Sequence, residues 1–251
     1  MNTEIVSLII LGCLVGAVLV GRGFRLIVRD HHLDPDTRDV VKLAMGLVAT
    51  MSALLLGLLV SSAKGSYDTV RSEVIQMAAK IAFLDRVLTI YGAEAAETRG
   101  QFHHAVDEAI RRMWPADKGE QARLDPDVKT GGAVMAAIQR LSPNDEAQRN
   151  LRTQALSLAV EIGQLHSLLE AQMVTSISKP LLIVVVSWLF VIFVSFSVLA
   201  PRNTVAMAAL LASAASSAAA IFLILELDRP FGGLIRISSE PMLNAVRQMA
   251  H

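Results

Sequence analysis

The chain has 251 residues, 53% of them hydrophobic and 18% charged, with 23 basic and 23 acidic side chains that cancel; its mean hydropathy is +0.49. Soluble domains are about a quarter charged, so this composition excludes an ordinary water-soluble globule. The balanced charge, with no basic stripe, excludes a nucleic-acid binder, and one cysteine, Cys13, permits neither an intrachain disulfide nor a cysteine metal cage.

Four windows lack Asp, Glu, Lys and Arg altogether: 5–21, 43–63, 180–201 and 203–225. Each matches the roughly 17–25 apolar residues that cross a bilayer as a helix, the conformation that satisfies its own backbone hydrogen bonds in hydrocarbon. The first window is preceded by Glu4 and followed by Arg22, Arg25 and Arg29. A cleaved signal peptide has the opposite charge order, so the window reads as a retained helix. It carries Gly12 and Gly16 four residues apart, a spacing that lets helices approach closely in lipid. A polar loop with His31 and His32 leads to the second window, where Gly46, Thr50, Gly57, Ser61 and Gly65 repeat the small-residue spacing. Thr50, Ser52, Ser61 and Ser62 there offer hydroxyls to an ion or to a neighbouring backbone.

Beyond the second window the apolar positions are Val70, Val74, Met77, Ile81, Leu84, Leu88 and Tyr91, with Tyr67 and Ala63 behind them. Separations alternating between four and three form a heptad seam, so one helix is expected to leave the bilayer unbroken, with Gly65 its weakest point. Phe102, Val106, Ala109 and Met113 mark a further helical face, on which His103 and His104 stand four residues before Asp107 and Glu108. Adjacent histidines on a helix point about 100° apart and do not share one metal. A loop is expected over 114–132, then a short helix over 133–141. Ser142 as N-cap and Pro143 at the first helical position open a second seam, Leu151, Ala155, Leu158, Ile162, Leu165 and Leu169. The simplest packing pairs the two seams antiparallel, extending the membrane bundle into water.

The third window carries Trp188, Phe190, Phe193 and Phe196 and suits lipid-facing or groove-filling positions. The fourth, rich in Ala with Ser213, Ser216 and Ser217, belongs inside a bundle. At Glu226 charge returns with Asp228 and Arg229. Pro230 then disfavours helix for the residue before it, and Gly232 and Gly233 allow a turn. The tail from Ser239 places Met242, Val246 and Met249 on one side, as a short amphipathic helix does. Glu226, Asp228, Arg229, Pro230 and Gly233 read as an interfacial motif at the membrane boundary, or as the lining of an ion entrance.

The fold class expected is therefore an all-α integral membrane protein with four transmembrane helices arranged two plus two. A helical, coiled-coil-like domain is inserted between the second and third. The divisions fall at 1–63, 64–179, 180–225 and 226–251. Candidate pore or helix-packing residues are Thr50, Gly57, Ser61, Ser62, Ser213 and Ser217. Basic residues are nearly even on the two sides, so charge alone does not orient the chain. No phosphate loop, nucleophile constellation or metal motif is found, so neither an enzyme nor a cofactor is expected.

"LDRPFGGLIRISSEPM", after the fourth window, and "GLLVSSAKGSYD", at the exit of the second, resemble signatures of the bestrophin-like domain family of bacterial membrane proteins. The resemblance covers essentially the whole chain. It implies a multi-pass protein of the bacterial inner membrane, with termini and helical domain cytoplasmic, that forms homo-oligomers and acts as an anion channel or transport-related protein. The acidic run of the bestrophin calcium clasp is missing, so calcium gating is not carried over. The alternative is a membrane-anchored scaffold or stator-like protein, working through a protein partner of its helical domain. The lipid bilayer is a partner under either reading.

Overall fold

A computed structural model describes residues 3–27, 34–115, 128–172, 179–201 and 203–249. The expectations for His31–His32, for Arg29 and Arg202, and for most of the 114–132 loop lie outside those residues. The described chain is helical without strands: α1 (Thr3–Ile27), α2 (Pro35–Tyr91), a 3₁₀ turn (Ala93–Ala95), α3 (Ala96–Met113), α4 (Val128–Arg140), α5 (Glu146–Gln172), α6 (Lys179–Leu199), α7 (Thr204–Leu227) and α8 (Glu240–Met249). The all-α membrane fold is as the composition demands: α1, α6, α7 and part of α2 are each long and apolar enough to cross a bilayer. The contacts divide the chain into two units, one of residues 1–66 with 176–228, the other of 67–175 with 229–251.

In the first unit α1 packs against both α6 and α7. Leu14, Ala17 and Val18 of α1 are sealed in, as are Val185 of α6 and Ala214, Ile221 and Ile224 of α7. The tightest approach is at Gly21: a Cβ there would lie 2.5 Å from the Val194 carbonyl oxygen and 2.6 Å from the Ser197 Cβ. Next to it, the buried Ser197 Oγ donates to the Val18 carbonyl at 2.6 Å, an interhelical bond of the kind that joins helices in lipid. Within the single chain Gly12 and Gly16 make no such approach, since an added Cβ at either meets nothing within 4 Å. The spacing identified a glycine-bearing helix, but the contact uses the glycine one turn beyond that pair. The α7 expectation holds for one stripe only: Ala214 and Ala218 are buried, while Ala208, Ala209, Ala212, Ala215, Ala219 and Ala220 remain exposed. Asn203 caps α7, its side chain accepting from the Ala206 N–H at 2.7 Å.

Helix α2 opens with a cap as well, the Asp34 carboxylate accepting from the Thr37 N–H at 3.1 Å with Pro35 at the first helical position. It then runs through Gly65 without interruption.

In the second unit the expected seams are the core. Val70, Val74, Met77, Ile81, Leu84, Leu88 and Tyr91 of α2 are all buried, as are Ala155, Leu158 and Leu169 of α5. Three polar links give the direction of the pair: Gln172 to Glu73 at 2.9 Å, Lys80 to Glu161, and Gln148 to the Tyr91 carbonyl at 3.1 Å. One series ascends as the other descends, so α2 and α5 are antiparallel.

Two local expectations are corrected here. The N-cap of α5 is Asp145, whose carboxylate accepts from the Gln148 N–H at 2.7 Å, and Ser142 and Pro143 stand outside the helix. Asp145 competes from three residues later, with an acid that also suits the positive end of the helix. Helix α4 starts at Val128, so Gly131 and Gly132 are helical, not loop. The tail forms the expected short amphipathic helix, α8, with Met242, Ala245 and Met249 buried in the core of this unit.

Candidate functional site

The membrane half of α2 is the least covered of the four spans. Only 11% of its most apolar window is buried, against 28%, 28% and 22% for α1, α6 and α7. Its covered positions are Ser52, Leu59 and Ala63, spaced so that they share one side of the helix. The opposite side carries Leu43, Leu47, Thr50, Leu54, Gly57 and Ser61, all exposed. This stripe combines three leucines with Thr50, Gly57 and Ser61. Ser62, also exposed, lies to one side of it.

The hydroxyls are mostly turned onto their own helices. Thr50 Oγ1 donates to the Gly46 carbonyl at 2.9 Å, Ser52 to Val48 at 2.8 Å, Ser213 to Ala209 at 2.9 Å and Ser217 to Ser213 at 2.9 Å. Each oxygen keeps acceptor capacity, but its proton is committed to the backbone four residues back. An added Cβ at Gly57 meets nothing within 4 Å. In the single chain, therefore, Gly57 makes no close helix contact.

The motif after α7 builds a closed loop. Glu226 is buried to 2% exposure, and Asp228 is the C-cap of α7. Gly232 N–H donates to the Arg229 carbonyl at 3.2 Å, and Ile237 N–H closes the loop onto the Pro230 carbonyl at 2.8 Å. Gly233 has φ +106°, a conformation that side chains beyond Cα strain. Phe231 is buried and meets Trp114 edge to face at 5.6 Å. Trp114 Nε1 also donates to the Ile237 carbonyl at 2.9 Å. The Ile237 carbonyl is thus taken up by an indole from the far end of α3. Sequence placed Trp114 in a loop, and no periodicity could reveal that it anchors this motif.

Comparison with protein families matches the bestrophin-like domain over residues 12–242, from within α1 to the start of α8. The chain belongs to the bestrophin-like domain family. The comparison with curated proteins found no match, and neither did that with solved structures.

In this bestrophin-like chain a buried polar cluster forms within the second unit. Asp85 of α2 is 6% exposed at its side chain. It accepts from Arg99 through Nε at 2.7 Å and Nη2 at 3.0 Å, and it meets His103 Nε2 at 2.6 Å. Arg99 Nη2 also donates to the Met249 carbonyl at the end of α8, at 2.7 Å. The largest influence on the Asp85 carboxyl is burial, which works to raise its pKa. The Arg99 and His103 hydrogen bonds with the attraction of both groups outweigh it, so the pKa is lowered. The Arg99 guanidinium is correspondingly raised, first by its bond to Asp85. The expected pairs His103–Asp107 and His104–Glu108 give way to His103–Asp85 and Arg112–Glu108. A shallow groove of about 470 Å³ lies beside the cluster, lined by Thr89, Gly92, Ala96, Arg99, Gly100 and His103. Among the described residues no group of three or more His, Cys, Asp and Glu side chains is placed to hold a metal.

Proposed function

We propose that this bestrophin-like protein assembles with copies of itself in the membrane and passes anions passively, along a path faced by the membrane half of α2. The observation that carries the reading is the bare outer stripe of that half, Leu43, Leu47, Thr50, Leu54, Gly57 and Ser61. Other spans of the same chain pack against one another, and α2 leaves this stripe for another occupant. The three leucines suit a constriction that excludes water when closed, and the hydroxyls of Thr50 and Ser61 suit weak contacts to a passing ion. Exposed Gly57 and the exposed alanine surface of α7 suit contact with a second copy. The protein is proposed to act without catalysis, in a bacterial inner membrane with its helical domain and termini on the cytoplasmic side.

The test is chloride flux. Purified protein reconstituted in liposomes is expected to elute as an oligomer in detergent and to release a chloride gradient. Liposomes that stay tight to chloride overturn the reading.

A second reading has its own observation. Ile75, Phe83 and Ile90 of α2 are 47%, 49% and 61% exposed, and Val160 and Leu168 of α5 are 41% and 45% exposed. Such apolar residues on a domain built for water suit a scaffold that docks another protein. Tight liposomes together with specific binding by the helical domain would support it.

A further inference from the structure

Two helix faces of the second unit are turned away from its core and nearly free of charge. On α5 the exposed residues Thr153, Ser157, Val160, Gln164, Ser167 and Ala171 repeat in alternating steps of four and three, on the side opposite the buried seam. None of the six is charged, and Leu168, 45% exposed, adjoins them. On α2 the face opposite its own seam offers Ile75, Ala79, Phe83 and Ile90, with Arg86 among them. A helix face kept in water is ordinarily polar and charged. Stripes like these suit contact with protein.

The two faces also match in height. The links from Glu73 to Gln172 and from Lys80 to Glu161 fix the antiparallel register of the pair. Ile75 stands two residues beyond Glu73, and Leu168 four before Gln172; Phe83 stands three beyond Lys80, and Val160 one before Glu161. At about 1.5 Å of rise per residue, Ile75 is level with Leu168 and Phe83 with Val160 to within about 3 Å. Arg86 falls between the levels of Thr153 and Ser157. Their hydroxyl protons are spent on their own helix, which leaves the oxygens able to accept from a guanidinium. At the far end of the pair stand Arg71 and Glu170, neither with an ionic partner among the described residues. Each directly follows a buried seam residue, Val70 or Leu169, so in an antiparallel pair both lean to the same flank.

We infer that the occupant of these faces is a second copy of this chain, the outer face of α2 in one copy lying against the outer face of α5 in the next. This rests on the proposed self-assembly and not on conduction. It gives to a like chain the surface that the scaffold reading gives to another protein. Copies inserted in one bilayer in the same direction are related by rotation about the membrane normal, which keeps equal heights equal. Two different faces that match level by level therefore make a head-to-tail contact that repeats around a closed ring. In that contact Ile75 meets Leu168, Phe83 meets Val160, and the Arg71 guanidinium meets the Glu170 carboxylate. The opposite charges fix the register, and the apolar pairs leave water.

The test is cross-linking of the full chain in membranes, in a C13A background that removes the single native thiol. With a short bis-maleimide, F83C/V160C and I75C/L168C should each give a ladder of products beyond the dimer. F83C and V160C alone should stay monomeric on the denaturing gel, because neither face meets itself. The pair I75C/V160C, set at different heights, should link severalfold less. R71E in the F83C/V160C protein should lower the ladder yield severalfold by setting two acids together, and R71E/E170R should restore it. These positions are exposed or half-buried, so the variants are expected to fold and elute like the wild type. Protein that elutes as an oligomer yet gives no ladder from either double variant overturns the inference and leaves self-assembly standing. A dimer from F83C alone overturns it too, since the α2 face would then meet its own kind. Wild-type protein that elutes as a monomer removes the self-assembly reading itself.

Discussion

The Asp85 carboxylate joins α2 to α3 through Arg99 and His103, and Arg99 extends the link to the last turn of α8. Replacing it by asparagine, D85N, leaves a guanidinium without its counter-charge. The expected loss is about 2 kcal/mol, below the 3–5 of a fully buried pair because the Arg99 side chain is 29% exposed. The pH dependence follows from the lowered pKa of Asp85. Its contribution is fully present above the ordinary carboxylate value of about 3.9 and is lost as pH falls through the lower folded value. Thermal unfolding followed by circular dichroism from pH 3 upward should show that acid loss in the wild type and lack it in D85N; equal acid sensitivity would refute the assignment. The sequence carried no sign of this cluster, because residues 14 and 18 positions beyond Asp85 come to it only through the turn at Gly92–Ala95. The i to i+4 spacing that pointed His103 at Asp107 describes one helix and is blind to its neighbour.

Gly21 makes a similar point inside the membrane unit. An alanine methyl there would collide with the Val194 backbone and Ser197. G21A should weaken the α1–α6 packing by about 1–3 kcal/mol, the range for overpacking. G12A, in open space, should leave the single chain unaffected. Thermal melts of detergent-purified variants separate the two, and a G21A melt equal to that of the wild type would show that the helices do not approach as described. Small-residue spacing selected α1 as a packing helix; which glycine is used depends on where α6 crosses it.

Helices were read most reliably where apolar spacing persists over many turns. The two seams of α2 and α5 need only the 3.5-residue repeat to be seen, and burying them against one another yields the antiparallel pair. Short boundaries were harder. Ser142-Pro143 and Asp145 are both reasonable starts for α5, and the choice falls to the residue whose side chain reaches an unpaired N–H. Gly65 remains helical although glycine lowers helix propensity, because long apolar or core-packed segments on both sides hold the backbone. An added Cβ there meets nothing within 4 Å, so G65A should raise the melting temperature, with a gain of about 0.5–1 kcal/mol. A fall in melting temperature would indicate that the position must bend.

At the scale of the whole molecule, the membrane assignment follows from solvent preference. Windows of 17 to 23 residues without a charge have one stable environment, and their count, helical state and two-plus-two order were all readable from composition. So was the family, because its signatures are local strings. Other features depended on coordinates. These are the close approach of α1 to α6, the burial of α8 in the helical domain, the Trp114 clasp on the loop after α7, and the bareness of the α2 membrane stripe. Hydropathy and periodicity are sums over neighbours along the chain, so they report what solvent a segment needs and which of its faces is apolar. Which face is covered, and by what, is decided by residues distant in sequence, and only their placement in space distinguishes a stripe buried within the chain from one left open for another molecule.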